Sequence, residues 1–152
     1  MRARLPGDTG FRMIGLVVGA HGRLAQEMVA TAEQIVGPLP QTTACSVAPG
    51  TSADELKDAL KAAIARVDTG DGVVVLTDLF GGSPCTQSVA LCNRENLEVL
   101  TGVNLPMLIK ASSLRAEGHS ANELAQLLVQ YGQRNITLAS TLMRDALRAA
   151  AH

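Results

Sequence analysis

The chain has 152 residues, a length that suits one domain with a substantial core. Hydrophobic residues make up 47% of the chain but aromatic residues only 2%, so the core must be built from aliphatic side chains. The net charge of −1, without a block of like charges, excludes the basic surface of a nucleic-acid or anionic-membrane binder.

The first twelve residues, MRARLPGDTGFR, are expected to form a flexible extension, and the coding start could be Met1 or Met13. This segment has a Pro-Gly turn and several arginines but lacks the apolar stretch of a signal peptide. Apolar runs elsewhere are shorter than the ~20 residues needed to cross a bilayer. The three cysteines have no C-x-x-C spacing and an odd count, which favours reduced thiols in a cytoplasmic protein.

The apolar run at 13–18, MIGLVV, predicts a short buried strand. From Gly22 onward the apolar residues recur at helical spacing, and Gly37 with Pro38 ends this predicted helix. A histidine, His21, stands between the two elements. The expected buried face of the helix consists of Leu24, Ala25, Met28, Val29, Ala32, Ile35 and Val36.

The middle of the chain repeats this alternation of strand and helix. A weaker strand is predicted at 42–47, and the next helix begins at the capping-box spacing of Ser52 and Glu55. The run at 72–79, GVVVLTDL, predicts the most clearly buried strand. It is followed by GGSPCTQSVALC, where a proline suits the first turn of a helix.

The last third of the chain completes the pattern. It predicts a strand at 97–103, a helix at 105–114 and a helical region over about 121–149 that opens with the capping box of Ser120 and Glu123. The order β-α-β-α-β-α-β-α predicts an α/β fold, a single doubly wound domain over 13–152 with a mainly parallel four-stranded sheet between helices.

Two chemically informative residues follow strands of this predicted sheet. In such folds ligands bind outside the carboxyl ends of the strands, where His21 and Asp78 both lie. A carboxylate that accepts a hydrogen bond from one ring nitrogen leaves the lone pair of the other nitrogen exposed. The pair therefore predicts an oriented histidine nucleophile.

The residues after Asp78 supply the second half of the predicted site. Gly81 and Gly82 let backbone N–H groups approach an anion, and Ser83 stands where the next helix begins. Together these residues predict a phosphate-sized anion site beside a nucleophilic histidine. No cluster of metal ligands and no Walker sequence accompanies them, so neither a metal nor another cofactor is expected.

Four segments, in this order, resemble the IIA component of the mannose-type (mannose/fructose/sorbose) phosphoenolpyruvate-dependent sugar phosphotransferase system. They are MIGLVVGAHGRLAQEMVATAEQIVG, VAPGTSADEL, VVVLTDLFGGSPCTQSVAL and EVLTGVNLPML, within residues 13–115. The resemblance implies a phosphotransferase in which His21 accepts a phosphoryl group from the histidine phosphocarrier protein and passes it to a IIB component for sugar uptake. It also implies that Asp78 orients the ring, and that Ser83 with the amides of Gly81 and Gly82 receives the phosphoryl oxygens.

The resemblance further implies a homodimer in which a strand is exchanged between subunits, supplied by the stretch before the C-terminal helices. It implies contact with a membrane only through a transporter complex. The family's usual linker and IIB domain do not follow the IIA segment in this sequence, so a stand-alone IIA protein is expected. Two alternatives remain open. One is a regulatory module that senses phosphoryl state without transport, and the other is the phosphoryl donor subunit of dihydroxyacetone kinase. The sequence does not identify the sugar or the IIB acceptor.

Overall fold

The computed structural model of the chain describes residues 13–79 and 82–152. The predicted N-terminal extension at 1–12 and Gly81 of the predicted anion site lie outside the described residues. Strands and helices alternate through the first four pairs, and two further helices follow. In chain order they are β1 (Gly15–His21), α1 (Leu24–Val36), β2 (Thr42–Val47), α2 (Ala53–Val67), β3 (Val73–Thr77), α3 (Ser83–Val89), β4 (Leu97–Thr101), α4 (Leu105–Leu114), α5 (Ala121–Arg134) and α6 (Ala139–Ala150).

The four strands form one parallel sheet in the order β2-β1-β3-β4. This arrangement confirms the predicted α/β fold with a parallel four-stranded sheet. Because β1 pairs with β2 on one side and β3 on the other, the strand order reverses beside β1. The crevice at the carboxyl ends of β1 and β3 is therefore where this topology forms a ligand site.

Helices cover both faces of the sheet, because alternate strand residues point to opposite sides. Leu16, Val18 and Ala20 of β1 belong to the core beneath α1, α4 and α5. Val17 points the other way, into the core beneath α2. The largest fully buried side chains are all leucine, isoleucine or valine, as the low aromatic content predicts.

Several element boundaries differ from the sequence prediction. The strand predicted at 13–18 extends to His21, because residues 16–21 of β1 pair in register with 42–47 of β2. His21 is thus the last residue of β1 rather than a loop residue after it. The helical region predicted over 121–149 divides into α5 and α6.

The buried face of α1 is narrower than predicted. Ala25 and Ala32 are fully buried, whereas Leu24, Ile35 and Val36 are exposed. At 100° per residue, Leu24 and Ile35 point about 60–80° away from Ala32. Only the centre of the predicted apolar stripe therefore faces the sheet.

Both predicted capping boxes are present. At the start of α2, the Ser52 hydroxyl accepts from the Glu55 N–H at 3.2 Å and the Glu55 carboxylate accepts from the Ser52 N–H at 2.8 Å. Ser120 and Glu123 repeat the arrangement at the start of α5. Among the residues described, none of the helices combines the length and the apolar character needed to cross a bilayer.

Candidate active site

The candidate site begins at the end of β1. The chain turns sharply after His21 because Gly22 adopts φ +59°, a left-handed conformation that glycine occupies without strain. The Gly22 N–H donates to the Val47 carbonyl at 3.0 Å, so the turn stays attached to the end of β2. This turn leaves the His21 ring at the open edge of the sheet, with 47% of its side chain exposed.

Asp78 reaches the same edge from the neighbouring strand. It directly follows β3, whose last residue, Thr77, pairs in register with Gly19 of β1. The end of β3 is also fixed from its other side, where the Val103 N–H donates to the Thr77 carbonyl at 3.0 Å. The sheet thus brings together His21 and Asp78, as the sequence predicts, although 57 residues separate them.

The contact between the two side chains is direct. Oδ2 of Asp78 lies 2.8 Å from Nδ1 of the His21 ring and accepts the backbone N–H of the same residue at 2.9 Å. Because an ionised carboxylate only accepts hydrogen bonds, Nδ1 must carry the ring proton. The unprotonated nitrogen is then Nε2, whose lone pair is available as a nucleophile.

The environment of Asp78 keeps its carboxylate charged. Its side chain is only 9% exposed, and this burial alone would raise its pKa. The hydrogen bonds from the backbone and ring of His21 and from the Leu79 N–H to Oδ1, at 3.0 Å, outweigh that effect. The pKa of Asp78 therefore lies below its ordinary value.

The backbone at Gly82 lies close to the histidine ring, an approach that a residue without a side chain permits. A Cβ atom added at Gly82 would stand 3.0 Å from Cε1 of His21 and 3.0 Å from Cδ1 of Leu79. Ser83 is the first residue of α3 and is exposed. Gly82 occupies the N-cap position of α3 and Pro84 lies in its first turn, so Ser83 is not the capping residue.

The sequence prediction left several features of this edge out of the site. Arg23, the N-cap residue of α1, pairs with Glu27 through an Nη2–Oε1 contact of 3.0 Å. Their i,i+4 spacing on a helix makes this ion pair predictable from the sequence. Leu24 and Leu79 are both exposed beside the site, and no sequence signal distinguishes them from core leucines.

Two cavities of the fold are lined by residues other than this histidine. One of about 350 Å³ lies between β2 and α2, and another of about 280 Å³ lies between α2 and the chain entering β4. Within the described ranges, no group of three or more His, Cys, Asp or Glu side chains is placed to hold a metal ion. The His21 side chain is nevertheless about half exposed, so the ring is accessible from solvent.

A family model described as the fructose IIA component of the phosphotransferase system matches residues 15–129. The mannose-specific EIIAB component of Escherichia coli K12 is 35% identical over 124 residues, which make up 81% of this chain. The aligned region amounts to only 38% of the length of that relative.

Solved structures agree with the sequence comparisons. The phosphotransferase component EIIA of Streptococcus agalactiae superposes with a TM-score of 0.78 at 27% identity, covering 85% of this chain and 99% of that one. The mannose/sorbose-specific IIA subunit of Enterococcus faecalis superposes with a TM-score of 0.73 at 32% identity, covering 83% and 94%.

Proposed function

The chain belongs to the fructose- and mannose-type IIA family of the sugar phosphotransferase system, and we propose that it carries a phosphoryl group on His21. In this proposal the donor is the histidine phosphocarrier protein and the acceptor is a IIB component that serves sugar uptake. The observation that supports it most directly is the hydrogen bond between Nδ1 of His21 and Asp78, which leaves Nε2 unprotonated in a side chain that is 47% exposed. We expect the chain to work in the cytoplasm and to meet a membrane only through a transporter complex.

The transfer step requires no proton movement within this chain. The Nε2 lone pair of His21 attacks the phosphorus of the donor's phosphohistidine, forming an N–P bond. The donor's N–P bond breaks, and its electron pair returns to the donor ring. The His21 ring then carries positive charge while Nδ1–H remains bonded to Asp78, whose low pKa keeps the stabilising negative charge in place. Transfer to the acceptor is the reverse step.

Phosphoryl transfer of this kind depends mainly on positioning and charge stabilisation. We propose that the backbone amides of Gly81 and Gly82 and the hydroxyl of Ser83 receive the phosphoryl oxygens. The closeness of Gly82 to Cε1 of His21 and the exposure of Ser83 support the assignment of these two residues. The exposure of the His21 side chain favours a protein partner, and such a contact is expected to be transient and modest in area.

Labelling tests the proposal. Phosphoenolpyruvate labelled in its phosphoryl group, the general phosphotransferase enzyme and the histidine phosphocarrier protein should label the chain at one acid-labile site. His21→Ala should abolish labelling. The matched control is His119→Ala, because His119 lies beside Glu117 in a separate exposed pair. Undiminished labelling of His21→Ala would refute the assignment.

A homodimer is part of the same proposal. Its support is the apolar surface of the C-terminal region, where Ile136 and Leu138 are 79% and 71% exposed and no residue of α6 is buried. Exposed apolar surface of this extent marks an interaction site. The outer edge of β4 is unpaired among the described strands and is available to an exchanged strand of the second copy.

Light scattering tests the dimer. The expected mass is about twice that of the 15.8 kDa chain. Leu142→Glu combined with Leu147→Glu should shift it toward one chain, whereas Arg144→Glu, on the same helix, should not. A mass near 15.8 kDa for the unaltered protein across micromolar concentrations would contradict the dimer.

A further inference from the structure

We propose that Arg23 binds the phosphoryl group on His21 by exchanging its ion pair with Glu27 for the phosphoryl oxygens. This inference rests on the proposed function, because it assumes that His21 is the phosphorylated residue. It assigns Arg23 the role of a phosphoryl-binding residue and Glu27 that of its resting partner. The guanidinium would thereby stabilise the phosphorylated state of the chain relative to the unphosphorylated state.

The position of Arg23 is unfavourable for the helix that it begins. It is the N-cap of α1, yet it makes no side-chain cap hydrogen bond, and N-caps are normally Ser, Thr, Asp or Asn. A positive charge at a helix N-terminus also opposes the helix dipole. The order of the pair, with the cation N-terminal to Glu27, is the weaker of the two i,i+4 arrangements. Helix stability therefore gives no reason for arginine at this position, and residues that break local rules in this way are characteristic of functional sites.

Arg23 lies close to both proposed partners along the chain. Arg23 is separated from His21 only by Gly22, so the two Cα atoms are within about 7 Å. Glu27 lies about 6 Å farther along α1, at 1.5 Å per residue. The long, exposed side chain of Arg23 thus starts two residues after His21 and four residues before Glu27.

Charge decides which partner is preferred. The Arg23 and Glu27 side chains are 84% and 62% exposed, so their pair is screened by solvent and weak. A phosphoryl group brings close to two negative charges and three acceptor oxygens, which match the guanidinium fork. Phosphorylation of His21 therefore provides a stronger partner for Arg23 than Glu27 does.

The test measures the equilibrium constant for phosphoryl transfer from the phosphorylated carrier protein to the chain. Arg23→Ala should lower this constant about two- to fivefold, the range of an exposed charge pair. Glu27→Gln frees Arg23 and removes a competing carboxylate, so it should raise the constant up to about twofold. Both differences should shrink in about 1 M salt, where the Debye length is about 3 Å.

Arg94→Ala is the matched control, because it also removes an exposed arginine from an ion pair. Arg94 pairs with Asp68, before the amino ends of β3 and β4 and away from His21, so its removal should leave the constant unchanged. Equal losses in Arg23→Ala and Glu27→Gln, or no loss in Arg23→Ala, would overturn the inference while the unaltered chain still takes label on His21. If the unaltered chain takes no label, the proposed function fails, and the inference fails with it.

Discussion

Replacing Asp78 with asparagine tests the histidine–carboxylate pair without leaving a cavity, because the two side chains have nearly the same size. The carboxylate accepts three hydrogen bonds: Oδ2 receives the backbone and ring N–H groups of His21, and Oδ1 receives the Leu79 N–H. An amide has one oxygen and one NH₂ group in these two positions. Either orientation of Asp78→Asn therefore places a donor against a donor.

The two orientations damage different properties. If the amide oxygen faces His21, the ring keeps its tautomer but loses the charged partner, and the NH₂ group opposes the Leu79 N–H. If the NH₂ group faces His21, the ring proton must move from Nδ1 to Nε2, the nitrogen that has to attack. A hydrogen bond to a charged group contributes about 1.5–3 kcal/mol. At about 1.4 kcal/mol per decade, transfer should slow about ten- to a hundredfold.

Single-turnover transfer from the phosphorylated carrier protein measures this loss, and circular dichroism confirms that the variant is folded. Ser83→Ala should slow transfer less than Asp78→Asn, because backbone amides still face the anion. A folded Asp78→Asn protein that transfers at the unaltered rate would reduce Asp78 to a turn residue and refute the paired site.

Three further predictions concern the glycine beside His21, the pH dependence of stability and a buried arginine. Gly82→Ala should slow transfer severalfold, because its Cβ would crowd the His21 ring. Gly19→Ala should be tolerated, since its added Cβ meets nothing closer than 3.7 Å. Single-turnover transfer rates of the two variants test this difference. The low pKa of Asp78 stabilises the folded state above the unfolded pKa of about 3.9, and this stabilisation is lost as the pH falls through the lower folded value. In urea titrations, the difference in free energy of unfolding between Asp78→Asn and the unaltered protein should therefore narrow below about pH 4. Arg115→Met should lower the free energy of unfolding by about 2–4 kcal/mol, seen as a lower thermal midpoint, with phosphoryl transfer unchanged.

The sequence predicts that His21 and Asp78 share one edge of the sheet, but it does not predict that their strands are neighbours. A chain that alternates strands and helices forms a parallel sheet, and all its carboxyl ends then lie at one edge. Which strands are neighbours is decided by the order β2-β1-β3-β4, and this order places β1 beside β3. The capping boxes are predictable for a simpler reason, since all their hydrogen bonds lie within four consecutive residues.

Other features depend on contacts between residues distant in sequence. Arg115 is 4% exposed, and burial lowers its pKa to about 10. Its guanidinium donates to the Gln41 carbonyl at 3.3 Å and to the Thr42 hydroxyl at 3.1 Å, and it also contacts the Pro40 carbonyl. An arginine at the end of α4 gives no local sign of this role, because its partners lie more than 70 residues earlier.

Arg23 is the opposite case, because its local pattern is informative by being unfavourable. A cation at an uncapped helix start costs stability, and its pair with Glu27 is too exposed to offset much of that cost. Among the described contacts, the side chain of Arg23 has no charged partner other than Glu27. A dianion on His21 would supply one, since it would place negative charge where the helix start and the guanidinium both favour it. Local rules predict the structure where they are obeyed, and the proposed phosphoryl group on His21 would account for the exception at Arg23.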